Sequence, residues 1–303
     1  MRNLRRFAIA AAIVGFGAVL LGSWTRINGA GMTCPDWPLC HGKLIPSMSD
    51  GTIWEWTHRL FAFSTAPLVA IVAYLAIRLR RRAPMLDPLV IAVAVLFLVQ
   101  VLLGAATVKL GNSPISVVLH WGTAMAFIAS LVAIAVITTI PEHAEESAAP
   151  TNATTAVPAL LLATTIAAFL TMCVGAYVSS SGAGLACLTL PECAGHILVT
   201  QPAQQVQMLH RTFAAITFLL SVITTIVVFL REPSTRIRGA SALGFALLCT
   251  QVLLGLMNVA LRLPTDLREA HAANAALLFI AYCSAFSFAA VRGIALPRES
   301  SVR

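Results

Sequence analysis

The chain has 303 residues, of which 58% are apolar and 11% are charged, with a mean hydropathy of +0.86. Soluble domains carry about 25% charged residues, so this chain lacks the polar surface to cover a water-exposed globule, which excludes a pair of soluble domains. Its net charge of +8 does not point to nucleic acid, because the Lys and Arg residues stand scattered at the ends of apolar runs, not in one basic segment.

Eight apolar stretches are long enough to cross about 30 Å of hydrocarbon as helices: roughly residues 7–27, 58–78, 87–108, 116–140, 157–179, 209–230, 239–261 and 271–291. Arg2, Arg5 and Arg6 precede the first, as in a signal peptide, but no small-residue cleavage site followed by a polar segment appears. It is read as a retained first helix. Alternating the spans places 13 basic residues on one side and 7 on the other, and the positive-inside rule puts both termini in the cytoplasm. The polar, acidic segment Pro141 to Ala156 reads as a cytoplasmic linker. Its sequon Asn152-Ala153-Thr154 then lies on the wrong side for glycosylation and is incidental.

Displacing the sequence by about 152 residues aligns it with itself, in order. Gly29-Ala30-Gly31 matches Gly182-Ala183-Gly184, Cys34 and Cys40 match Cys187 and Cys193, and His58-Arg59 matches His210-Arg211. Gln100 to Gly104 (QVLLG) recurs at Gln251 to Gly255, and His120 matches His271. An even number of helices per repeat gives both halves one orientation in the membrane. The expected architecture is therefore an all-α integral membrane protein whose eight transmembrane helices form two parallel pseudo-symmetric four-helix bundles, residues 1–140 and 157–303.

His58, His120, His210 and His271 fall at or near the starts of predicted helices 2, 4, 6 and 8, all near the outer boundary. Ionisable groups inside spans are costly and usually face the bundle interior. Each imidazole taken alone could simply hydrogen-bond a neighbouring helix or reach the interface. Repetition on alternate helices favours ligation of a metal or haem between facing helices. A flat macrocycle suits an apolar helical slot better than bare zinc, so the two pairs predict two haem sites. Arg59 and Arg211 follow their histidines and could meet haem propionates or lipid headgroups.

The outer loops carry Cys34-x5-Cys40 and Cys187-x5-Cys193, a spacing unlike a zinc ribbon, in a compartment that permits oxidation. A disulfide in each loop is expected, as a staple over the site or as a redox partner to it. Cys173, Cys249 and Cys283 lie in spans as small apolar residues. Glu55 stands three residues before His58, with Gln207 at the matching place in the second repeat. Thr52-x-x-Glu55 fits a capping box, and Glu55 equally fits a catalytic carboxylate beside only one of the two sites.

Together these residues resemble the haem A synthase family: the GAGMTCPDWPLCHG loop, EWTHR at Glu55 to Arg59, HRTFA at His210 to Ala214, and His120 and His271. The likeness covers nearly the whole chain, and its cysteine pairs resemble the bacterial branch. It implies oxidation of a methyl group of haem O to the formyl group of haem A, through an alcohol and an aldehyde hydrate, for terminal oxidases. On that analogy His58 and His120 frame the haem O substrate with Glu55 nearby, and His210 and His271 ligate a haem b cofactor. A haem O synthase and terminal oxidase assembly factors are implied partners, the cell membrane the implied location. A b-type cytochrome has the same histidine pairs without a haem product. A haem transporter uses the same kind of repeat, but its site belongs nearer the midplane.

Overall fold

The computed structural model describes residues 1–80, 86–139 and 156–291. Its eight α-helices are α1 Arg2–Ile27, α2 Thr52–Leu79, α3 Leu86–Lys109, α4 Pro114–Ile137, α5 Ala156–Ser180, α6 Pro202–Arg231, α7 Thr235–Ala260 and α8 Thr265–Ala290. The described residues contain no strand. The linker expected at 141–156 lies, but for Ala156, outside the described residues, as do Arg81, Arg82, Arg292, Arg298 and Arg303 of the topology count.

Each helix has 24 to 30 residues and is apolar enough to span a membrane. At 1.5 Å per residue even the shortest is about 36 Å long. Phe63, Leu102 and Leu230 are 77%, 69% and 78% exposed; such an apolar exterior is stable in hydrocarbon and costly in water. Pro114 and Pro202 open α4 and α6 at the position where a missing N–H costs nothing. The α3–α4 turn puts Gly111 and Asn112 at positive φ, and the α7–α8 turn does the same with Arg262 and Leu263. The left-handed conformation suits Gly and Asn and is strained for the other two.

In the first quartet α1 packs on α2 and α4, and α3 packs on α4 and α2. In the second, α5 packs on α6 and α8, and α7 packs on α8 and α6. The quartets meet through α4 against α5 and α8, and α1 against α8. The main apolar core follows that seam, joining Leu131, Ile134 and Phe127 of α4 to Ala276, Phe279 and Cys283 of α8. Apolar attraction between helices is weak in lipid, so close packing and polar contacts matter more. Thr164 meets Thr224 and Thr171 meets Thr217 at 2.7 Å between α5 and α6. Tyr282 of α8 bonds to Ser221 of α6, and Arg26 of α1 donates to Ser179 of α5 at 3.0 Å.

The even helices begin earlier than their apolar runs. α2 opens at Thr52, six residues before His58, and α6 at Pro202, eight before His210. The polar segments TIWEWT and PAQQVQML are helical, so the histidines sit one and a half to two and a half turns inside, about 9 to 12 Å from the first helical residue. An apolarity criterion missed these turns because Thr52, Glu55 and Thr57 in one, and Gln204, Gln205 and Gln207 in the other, interrupt the apolar run.

Close approach of α7 and α8 gives a packing test. A Cβ at Gly244 would stand 2.9 Å from the Tyr282 ring, whereas one at Gly239, on the same helix, meets nothing within 4 Å. Thermal unfolding in detergent is expected to show Gly244→Ala destabilised by about 1–3 kcal/mol through overpacking. Gly239→Ala is expected to be neutral or slightly stabilising through helix propensity.

Candidate functional site

The four histidines share one local construction. A Cβ built at Gly22 of α1 would lie 2.7 Å from His58 Cε1 of α2, and one at Gly175 of α5 would lie 2.8 Å from His210 Cε1 of α6. At Gly104 of α3 and Gly255 of α7 the same distance, to His120 and His271, is 3.3 Å. Each odd helix thus lacks a side chain where the imidazole of the next even helix lies against it. All four rings are half-buried. His58 and His120 lie within electrostatic range of each other, as do His210 and His271.

The ring nitrogens differ in their partners. His58 Nδ1 is 2.8 Å from the Ala18 carbonyl; a carbonyl only accepts, so Nδ1 carries the proton and Nε2 keeps its lone pair. The Thr171 carbonyl, the repeat counterpart of Ala18, faces His210, but Nδ1 of that ring falls outside hydrogen-bond geometry. Nδ1 of His120 and of His271 is likewise buried without a partner. His120 Nε2 lies 3.3 Å from the Gln100 amide nitrogen.

The cysteine loops close beside these helices. Cys34–Cys40 and Cys187–Cys193 are disulfide-bonded, with Cα atoms 4.7 and 4.8 Å apart, and all four cysteines are buried. Arg59 donates from Nη1 to the carbonyls of Asp36, at 2.7 Å, and Leu39, and from Nη2 to that of Cys34 at 2.9 Å. Arg211 donates to the carbonyls of Thr189, Pro191, Glu192 and Cys187 at 2.8 to 3.1 Å. These arginines, which the sequence offers to a propionate or a headgroup, donate terminal N–H groups to the loops, whose disulfide rings turn carbonyls inward.

Glu55 completes the first clamp. Its buried carboxylate takes Arg59 Nη2 at 2.6 Å on one oxygen, and the Thr33 hydroxyl and Cys34 N–H at 3.0 and 2.9 Å on the other. Gln207 makes the matching bond from the Cys187 N–H at 2.6 Å and donates to the Gly184 carbonyl at 2.9 Å. The capping box does not form: the N-cap is Gly51, without a side-chain cap bond, and the Thr52 N–H bonds to the Ser49 carbonyl. Thr52 lies inside the helix, which leaves the Glu55 carboxylate for the loop.

Sequence reasoning missed Gly22 and Gly175, although their separation equals the repeat offset. It noted Gly104, Gly255, Gln100 and Gln251 as repeat matches without assigning them a part. Among the described residues no three His, Cys, Asp or Glu side chains gather as a protein-built cation site. Paired imidazoles supply two nitrogen donors, which suits an iron that brings its own in-plane ligands. Ring edges seated against glycines, with a lone pair left on His58 Nε2, fit a haem held between helices.

Fold and site define a polytopic helical membrane protein with one imidazole pair in each of two helix quartets. A family model described as cytochrome oxidase assembly protein (COX15-CtaA) matches residues 5–283. The chain belongs to that family. It is 28% identical over 304 residues to "Heme A synthase" of Shewanella oneidensis, covering 86% of this chain and 89% of that protein. To "Heme A synthase" of Bacillus cereus it is 26% identical over 289 residues, covering 93% and 92%. To that of Bacillus pumilus it is 28% identical over 221 residues, covering 71% of each.

The two loops differ in titratable residues, and Asp36 against Thr189 is the difference that enters the loop's own hydrogen bonding. The Asp36 carboxylate accepts from the His41 and Gly42 N–H groups at 2.6 and 2.7 Å, and the Gly42 bond is the main reason its pKa lies below the ordinary 3.8. A depressed carboxylate contributes stability above its unfolded pKa and loses it as pH falls through the folded value. Thr189 replaces it in the second loop, its hydroxyl accepting from the Ala194 N–H at 2.7 Å, and does not titrate. Amide hydrogen exchange, corrected for intrinsic rates, is expected to show His41 and Gly42 losing protection below pH 3.8 while Ala194 keeps its own.

Proposed function

We propose that this chain is a haem A synthase, an oxidoreductase that converts a methyl group of haem O to the formyl group of haem A. His58 and His120 frame the haem O site in the first quartet, and His210 and His271 ligate a haem b in the second. The observation that carries this reading is the repeated seat of an imidazole against a glycine on the preceding helix, twice in each quartet. A bound haem b supplies one-electron transfer; the chain's own residues orient the rings, exclude water and place charge.

Glu55 is the residue that distinguishes the two sites. Gln207 takes the cysteine N–H as well as Glu55 does, so anchoring the loop needs no negative charge. The added feature of the first quartet is an ionisable carboxylate one turn before His58 and paired with Arg59. We assign that charge to handling protons or stabilising positive charge at the reacting porphyrin edge. The distribution of basic residues and the oxidised loops support an orientation in the cell membrane with both termini cytoplasmic and the disulfide loops outside. Haem O synthase and terminal oxidase assembly factors are the corresponding partners.

Two measurements test the reading. Full-length protein, expressed aerobically with a source of haem O and electron donors, is expected to yield haem A or its alcohol precursor on extraction and chromatography. Haem b alone would indicate an electron-transfer cytochrome and contradict the assignment. Glu55→Gln is expected to keep the disulfide loop and the haem content but to lower product about a hundredfold. Undiminished product would reduce Glu55 to a loop anchor. Separately, Gly175→Ala is expected to lower bound haem b, with a smaller loss for Gly255→Ala, following the clearances of 2.8 and 3.3 Å.

A further inference from the structure

We propose that a displaceable glutamine makes the first haem site exchangeable, and that an asparagine found only in the second repeat withholds the equivalent glutamine so that the second site keeps its haem. This inference rests on the haem-binding reading above and assigns different retention to its two sites. Gln100 and Gln251 occupy the same repeat position, four residues before Gly104 and Gly255, against which His120 and His271 lie. Their side chains nevertheless have different partners.

In the first quartet the Gln100 amide lies 3.3 Å from His120 Nε2. Whether the amide nitrogen or oxygen faces the ring, the contact occupies Nε2, and an iron ligated there must displace it. Because His120 Nδ1 has no partner, Gln100 is the ring's one polar contact among the described residues. In the second quartet the Gln251 Oε1 accepts from Asn274 Nδ2 at 2.7 Å, and the same nitrogen donates to the Leu247 carbonyl at 2.9 Å. Asn274 is buried and fixed at both bonds, so it holds the Gln251 amide by its oxygen. His271 forms no hydrogen bond with Gln251.

The residue responsible is readable in the repeat. Asn274 stands three residues after His271, one turn along the same face; the residue three after His120 is Thr123, and no hydrogen bond joins Thr123 to Gln100. A guarded ligand loses a hydrogen bond each time haem binds and regains it each time haem leaves. That lowers retention at a site through which a substrate must pass. An unguarded ligand carries no such cost, as suits a resident cofactor. One neutral hydrogen bond corresponds to about five- to tenfold in an equilibrium or a dissociation rate.

The test measures haem release from purified full-length protein loaded with haem b at both sites, using an apomyoglobin acceptor. A fast and a slow phase are expected, the fast one lost in His58→Ala and the slow one in His210→Ala. Gln100→Leu is expected to slow the fast phase five- to tenfold and leave the slow phase unchanged. Asn274→Thr is expected to accelerate the slow phase. Thr123→Asn, which supplies the missing tether, is expected to slow the fast phase without removing any side chain from the His120 contact. The proposal is overturned if the loaded low-spin spectrum is retained and neither Gln100→Leu nor Thr123→Asn slows the fast phase. Release that is insensitive to both histidine variants would instead overturn the underlying haem assignment.

Discussion

A Cβ at any of four glycines would crowd the Cε1 edge of an imidazole on the next helix, and these four contacts set the geometry on which the site depends. They fix how closely α1 approaches α2, α3 approaches α4, α5 approaches α6 and α7 approaches α8. In a membrane this matters more than in water, because lipid competes for every apolar contact and only closeness and polar bonds favour helix over solvent. Glycine at Gly22, Gly104, Gly175 and Gly255 gives up helix propensity for a void that holds a ring at one depth and one orientation. The histidines are thus positioned by their neighbours' missing atoms as much as by their own helices.

The disulfide loops form a second layer, coupled to the first through residues only a few positions from His58 and His210. Arg59 and Arg211 satisfy the inward-turned carbonyls of their loops, and Glu55 and Gln207 satisfy a cysteine N–H. The two cysteine N–H groups are buried and would be expensive to leave unpaired. The shared frame needs only an acceptor from the glutamate or glutamine. The two repeats therefore use one scaffold and depart from each other at a few chemically meaningful places: Glu55 against Gln207, Asp36 against Thr189, and Thr123 against Asn274. Each departure changes charge or hydrogen bonding without changing the helices around it.

Much of this organisation was legible in the sequence because the membrane imposes simple rules. Apolar runs located all eight helices, and the displaced self-match aligned the four histidines, the cysteines and the QVLLG segments. Helix starts were misplaced where polar turns such as TIWEWT continue the helix beyond its apolar part. The arginines' partners and the part played by Glu55 were not legible, since both depend on how the loops fold back. A capping-box pattern at Thr52 and Glu55 matched a local rule that the chain does not follow, because Gly51 provides the N-cap and the loop captures the carboxylate. Gly22 and Gly175 could have been found from their 153-residue separation, but glycine in an apolar span is too common to stand out until the ring beside it is seen.

On the proposed function, two imidazole pairs, His58 with His120 and His210 with His271, form two separate haem sites. Electron paramagnetic resonance of the purified, oxidised full-length protein loaded with haem b distinguishes them. Two low-spin bis-imidazole ferric signals are predicted, one abolished by replacing either His58 or His120 with Ala and the other by replacing either His210 or His271. His41→Ala and His196→Ala, in the loops, leave both signals intact. Signals that survive loss of any of the four intramembrane histidines, or that vanish together when a single pair is broken, would contradict the account.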